Sequence, residues 1–266
     1  MSDAPVLQDY DDGVLLVTLN RPQKKNAFDD AQWDGLRDAL NRARGDAAVA
    51  VVVLTGAGRD LSAGQDLQAF AQSREPRADG NPTGFHGCVD AVFAFDKPLL
   101  AAVKGVAVGG GATLAIACDV VYVGESLRLR LPFVSLGLVP ELASSYTLQS
   151  AIGRQRAAEL FFTAEWVGAE RALEVGLAAR SFPDDELLAA TLAKAKEVAR
   201  WPVSALQATK RTLKIAHAAG IQAARTAEDA GMAVMAGSPE NREAVTAFLQ
   251  KREPDFRQFR KGREAP

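Results

Sequence analysis

The stretch Leu99-Leu100-Ala101-Ala102-Val103-Lys104-Gly105-Val106-Ala107-Val108-Gly109-Gly110-Gly111-Ala112-Thr113-Leu114-Ala115 decides how the chain is read. Residues 99–104 form a run of strand length, apolar up to Val103, and the glycines after it lead into an apolar helix reaching Cys118. A strand without polar alternation is buried on both faces, and helices on either side of a parallel sheet are what bury it. The same order occurs upstream. Residues 50–54 are wholly apolar and end in Thr55-Gly56-Ala57-Gly58, after which Leu61-Ser62-Ala63-Gly64-Gln65-Asp66-Leu67 leads toward another expected helix. The fold class is α/β.

Outward from these two units, Val14–Leu19 is a further β-rich run, stopped by Asn20-Arg21-Pro22 because proline lacks the ladder donor. Asp29 with Gln32 three residues on resembles an N-cap pair, opening an amphipathic helix to about Arg44. A fourth strand is expected at 119–123. Between Gln68 and Pro98 a polar stretch containing Gly and Pro is expected to loop over a site before a short helix. Beyond Pro140 the pattern is helical throughout, with helices at 204–218, at 221–236, and from Ser238-Pro239-Glu240, where proline suits the first turn. Trp201-Pro202 marks the expected boundary between an α/β core with the active site (1–201) and a helical C-terminal section (202–266).

The 266 residues carry a formal net charge of −2 and are 48% hydrophobic. That suits a large core without disulfide staples and is too neutral for the basic stripe of a nucleic-acid binder. Lys251, Arg252, Arg257, Arg260, Lys261 and Arg263 read as a solvated face. Cys88 and Cys118 cannot build a disulfide framework, and no CxxC pair offers a structural metal site. The sequence has no basic-then-apolar leader, no uninterrupted apolar run of ~18 residues and no terminal Ser-Lys-Leu. The cytoplasm is the expected compartment, with no membrane partner.

Each glycine turn follows an expected strand and precedes an expected helix, which leaves backbone N–H groups unpaired where the helix dipole favours negative charge. Glycine also lets the main chain approach a ligand closely. Two such ends converging would form an oxyanion hole; close helix–strand packing is the other use of three glycines. Nucleotide motifs fail on spacing, since Gly111-Ala112 stand where a phosphate loop needs Lys-Ser/Thr and no GxGxxG is present. Ser62 and Ser135 lack the GxSxG elbow, and His86 and His217 leave few ways to build a Ser-His-Asp triad.

Taken together, the segments resemble the crotonase (enoyl-CoA hydratase/isomerase) superfamily over almost the whole chain. The resemblance rests on Asn20-Arg21-Pro22, Lys25-Asn26-Ala27, Leu54-Thr55-Gly56, Ser62-Ala63-Gly64-Gln65-Asp66-Leu67, Lys97-Pro98, Lys104-Gly105, Gly109-Gly110-Gly111 and Cys118-Asp119. Arg171-Ala172, Gly176-Leu177 and the terminal 248–256 also match. It implies repeated ββα turns coiled into a superhelix, with C-terminal helices building a homotrimer or a hexamer made of two trimers. The implied substrate is an acyl-CoA thioester, coenzyme A being part of the substrate, with no further cofactor and no metal. The implied holders of the thioester carbonyl are the N–H groups of Gln65 and Gly110. Ala27, Ala63, Gly64, Asp66, Leu67 and Gly109 would line the CoA channel, with Lys25 near the phosphates. Lys251 and Phe256 would reach in from a neighbouring subunit. The alternative for Lys25 and Lys251 is simple solvation.

The hole would stabilise a thioester enolate. Hydratases of the family use two glutamates, and at the matched positions this chain has Thr113 and Phe133, neither a base near neutral pH. The segment 132–146 resembles peroxisomal-type Δ3,Δ2-enoyl-CoA isomerases, which carry one catalytic glutamate, matched by Glu141. Phe133, Leu136, Leu138 and Leu142 would form an apolar wall that raises its pKa. A helix-start carboxylate is the other reading of Glu141, and Asp66 and Glu125 are weaker candidates for the base. The expected activity is a double-bond shift from position 3 to position 2; the alternatives are a hydratase or other lyase of the same fold, and a non-catalytic acyl-CoA-binding protein.

Overall fold

The computed structural model describes residues 4–66, 68, 80 and 83–260. Its main sheet has six strands in the order β1 (Val6–Asp11), β2 (Val14–Leu19), β3 (Val51–Gly56), β4 (Leu99–Val103), β6 (Val120–Gly124) and β8 (Arg180–Phe182). From β2 to β8 all neighbours are parallel. The unbroken apolar runs follow from burial on both faces. Val52 and Leu54 enter the principal core, whereas Val51 and Val53 face the opposite way with Leu100 and Ala195. That second face is covered by α7 (Leu187–Ala199).

The principal core lies between the sheet and α1 (Asp30–Gly45), α2 (Gly84–Ala94) and α3 (Gly110–Ile116). Asp29 caps α1 by accepting from Gln32 N at 2.9 Å, and Trp33, Leu36, Ala39, Leu40 and Ala43 form its buried stripe. Downstream come α4 (Ser144–Ile152), α5 (Arg154–Thr163), α6 (Ala169–Glu174), α8 (Val203–Ile215), α9 (Ala218–Met235) and α10 (Pro239–Leu249). Ser238 caps α10 through Asn241 N at 3.1 Å.

Between the main strands and their helices runs a second, shorter ladder. β5 (Val106–Val108) pairs in parallel with β7 (Arg128–Arg130), and single bridges join Ser62 to Ala107, Phe28 to Gln65 and Leu129 to Val167. Each turn of the chain thus adds one strand to the large sheet and one rung to the small ladder before its helix. This is the coiled ββα repeat the motifs imply.

The chain opens with a hairpin absent from the expected elements, so β1 and β2 are antiparallel; Asp12-Gly13, both at positive φ, is the two-residue turn that matches strand twist. Two expectations need correction. Val106–Val108, taken as part of a glycine turn, is a strand. The region beyond Pro140 is not helical throughout, because Arg180–Phe182 pairs with β6. Leu67 and most of the expected loop after Gln68 lie outside the described residues. Among the described residues no helix is long and apolar enough to cross a membrane.

Candidate active site

The short ladder brings the two glycine turns together. Ser62 N donates to Val106 O, and Val108 N donates to Ser62 O, both at 3.0 Å. On the far side Phe28 N donates to Gly64 O at 2.7 Å and Asp66 N to Phe28 O at 2.8 Å. Gly64, at φ +83°, must be glycine: a Cβ there would lie 2.6 Å from Val108 O and 3.6 Å from Gly110 N. Gly109 N is fixed on Arg130 O at 3.1 Å, and α3 starts at the next residue. In these turns Ala63, Gly64 and Asp66 spend their N–H groups on Lys25 O, Ser62 Oγ and Phe28 O. Among the described residues Gln65 N–H and Gly110 N–H have no acceptor. Two adjacent donors, one at a helix start, are what an oxyanion needs.

Other motif residues hold this geometry. Asn26 is fully buried; its Nδ2 donates to Ala57 O and Asp60 O, and its Oδ1 accepts from Arg21 N. Arg21 donates to Ala27 O and pairs with Asp29 at 3.1 Å and Asp66 at 3.2 Å. Asp66 also accepts from Gln68 N at 3.2 Å, so its carboxylate is committed to bracing the turn. Lys25 is exposed on a left-handed residue, beside buried Ala27. Trp33, not singled out in the sequence, meets the Gln65 and Gly110 turns. Its Nε1 donates to Gln65 Oε1 at 3.1 Å, its ring stacks on Phe28, and its edge lies 3.2 Å from the Cβ position of Gly110.

Glu141 meets the hole. Its Oε1 lies 3.2 Å from where a Cβ on Gly110 would stand. Burial, with a smaller contribution from Glu228, pushes its pKa up to about 7. It does not cap α4. That role falls to Glu228 of α9, whose oxygens accept from Ala143 N at 2.7 Å and Ser145 N at 2.8 Å. The alternative reading of Glu141 as a helix-start carboxylate therefore does not describe it. Glu228 gave one faint signal in the sequence: it shares a helical face with Ala224 and Gly231, a small-residue stripe where a carboxylate is out of place.

Thr113 is buried, its hydroxyl donating to Gly110 O at 3.3 Å. Phe133 is buried near Phe161, and Leu142 is buried beside Glu141 while Leu136 and Leu138 are half-buried. Glu125 is exposed at the start of a turn, its N–H donating to Phe182 O. Lys251, exposed and left-handed, and half-buried Phe256 end the C-terminal section. Among the described residues no hydrogen bond joins either to the turns at Gln65 and Gly110. His86 bonds Thr83 at 3.1 Å, and His217 Nδ1 is shared between Tyr146 at 3.0 Å and Ser150 at 3.4 Å, with no acid bonded to either ring among the described residues.

In this parallel α/β fold the Gln65 and Gly110 N–H groups have no acceptor among the described residues, and beside Gly110 lies a half-buried carboxyl whose pKa burial raises to about 7. This pairing of free donors with a proton acceptor suits anion-stabilising chemistry. The chain belongs to the enoyl-CoA hydratase/isomerase family, whose profile matches residues 9–260. It is 37% identical to the 2,3-dehydroadipyl-CoA hydratase of Escherichia coli K12, covering 92% of this chain and 95% of that one. It is 33% identical to the 1,2-epoxyphenylacetyl-CoA isomerase of the same organism, over 94% and 97%. The crystal structure of an enoyl-CoA hydratase/isomerase from Pseudoalteromonas atlantica T6c superposes with a TM-score of 0.90 at 34% identity, covering 95% of this chain and 99% of that one.

Proposed function

We propose that the protein is a Δ3,Δ2-enoyl-CoA isomerase. The thioester oxygen of a 3-enoyl-CoA accepts from Gln65 N–H and Gly110 N–H. Glu141 as carboxylate takes a proton from C2, and the electron pair passes into a dienolate whose charge rests on that oxygen. The same carboxyl returns the proton at C4, leaving the double bond between C2 and C3. Atoms balance with one base and no water.

The observation that carries this reading is the placement of a single carboxyl beside Gly110, with Thr113 and Phe133 where a second acid–base group would stand. A base titrating at about 7 is poised to both accept and return a proton at neutral pH. Lys25, Ala27, Ala63, Gly64, Leu67 and Gly109 would line the CoA channel. The exposed apolar side chains Leu213, Ile215, Val234, Phe248 and Leu249 of the C-terminal helices support assembly into a trimer, through which Lys251 and Phe256 would reach a neighbour's CoA. No other cofactor is invoked.

The second reading is hydration of a 2-enoyl-CoA, favoured by the name of the 37% identical relative, a hydratase. Incubation of the purified protein with a 3-enoyl-CoA and separately with a 2-enoyl-CoA distinguishes them. The expected result is conversion of the first to the 2-enoyl thioester with little water addition to the second. Rapid formation of 3-hydroxyacyl-CoA from the second would overturn the isomerase reading.

A further inference from the structure

We infer that Glu228 is a positioning residue for Glu141, holding from α9 the turn that aims the base at the oxyanion hole. The inference rests on the isomerase reading only for the identity of the reaction, since the geometry stands without it. Leu142 and Ala143, the two residues after Glu141, both lie in the left-handed region at φ 59° and 53°. Neither is glycine, so the local sequence does not favour the turn. Ala143 also occupies the N-cap position of α4 and has no side chain with which to cap it. Glu228 supplies what is missing. It lies 85 residues away, is 6% exposed, and accepts the N–H groups on both sides of Ser144.

The same helix fits closely along the segment. The Cα of Gly231 sits where a Cβ would be 3.0 Å from Val139, two residues before the base, and Gly220 lies against the Tyr146 ring. Seated on both sides of the base in this way, α9 fixes Glu141 through its neighbours without touching the hole. Four ionisable groups face Glu228: Glu141 from the turn, His86 from α2, and Arg225 and Asp229 from its own helix, Arg225 being paired with Asp90.

The test compares wild type, Glu228→Gln and Glu228→Ala as full-length assembled protein. It uses 3-enoyl-CoA kinetics, and an infrared titration of the Glu141 carboxyl assigned by its loss in Glu141→Gln. Glu228→Gln keeps the volume but places an N–H₂ against one backbone N–H. It is expected to keep its fold and a KM within about twofold, since Glu228 does not reach the hole. Its kcat is expected to fall by about 10- to 100-fold, as for a reacting group moved by around 1 Å. The titration midpoint should fall below about 7, with Glu228→Ala going further the same way. A lower melting temperature with unchanged midpoint and unchanged kcat would make Glu228 merely structural and overturn the inference, as would wild-type behaviour throughout. If wild type does not turn over 3-enoyl-CoA, the isomerase reading fails while the carboxyl titration still decides the role of Glu228.

Discussion

Replacing Glu141 by glutamine should make the protein more stable and inactive at once, with a stability gain that depends on pH in a defined way. The folded carboxyl titrates near 7 against an ordinary value of 4.5. Below about 4.5 both folded and unfolded chains hold the proton, so the residue contributes no pH dependence. Between 4.5 and 7 the unfolded chain releases the proton and the folded chain keeps it. Stability therefore falls as pH rises, by about 1.4 kcal/mol per unit. Two and a half units give about 3 kcal/mol, an upper figure because Glu141 keeps a partly exposed edge. Glutamine does not titrate, so the variant escapes this loss. Urea unfolding of both proteins across pH 5 to 8, at one fixed protomer concentration because assembly couples to unfolding, measures the difference directly. The gap should widen with pH up to about 7 and then level. A gap that stays flat, or that narrows with rising pH, would show that the folded carboxyl is not raised. Loss of the base should meanwhile lower kcat by roughly 10²- to 10⁴-fold.

In wild type the base must be ionised to take the C2 proton, so kcat/KM should fall about tenfold per pH unit below a midpoint near 7; a kcat/KM profile flat to pH 5 would exclude Glu141 as the base. Gly110→Ala places a methyl 3.2 Å from both Glu141 Oε1 and the Trp33 ring. It should cost about 10²- to 10³-fold in kcat, the scale of a lost oxyanion donor, with little change in circular dichroism. Arg21→Met strips Asp66, 9% exposed, of its guanidinium and should lower stability by about 3 kcal/mol. Chemical denaturation reads that loss, and KM should rise as the Gly64–Asp66 turn loosens.

Much of this was legible because burial dictates composition. The runs at Val51–Gly56 and Leu99–Val103 are apolar on consecutive residues because each face has its own helix layer. The glycines at 64, 110 and 111 mark real close approaches, whereas Gly109 is set apart by its positive φ of 50° alone. What stayed hidden was partnership over long sequence separation. Lys97 and Asp119 appear in the sequence as matched polar positions, but their work is structural. Lys97 is buried with its ammonium on Ala43 O and Asp46 O at the end of α1, and burial pushes its pKa down. Asp119 joins Leu99 N to Lys210. Trp33 reads as one more apolar residue on an amphipathic stripe, and only its indole N–H, aimed at Gln65, makes it part of the site. The hairpin at Asp12-Gly13 was readable from its turn chemistry, whereas β8 is three residues long and carries no periodicity of its own.

The two halves of the site are held by different physics. The Gln65 and Gly110 turns are positioned mainly by backbone ladders, from Phe28 through Gly64 and from Ser62 through Ala107 to β7, with Asn26, Arg21 and Ser62 bracing them. Among the described residues no contact from the side chain at 133 enters that ladder. The turn that carries Glu141 has one local backbone bond, Ser144 N to Glu141 O, and leans on the Glu228 side chain for the rest. Two non-glycine residues in the left-handed region cost about 1–2 kcal/mol each. Two hydrogen bonds from backbone N–H to a carboxylate contribute about 1.5–3 kcal/mol each when the acceptor is charged. The second sum covers the first with little to spare. On the inferred role of Glu228, the turn that carries Glu141 is supported by α9 seated on it, and the helical section beyond residue 202 helps to aim the proposed base.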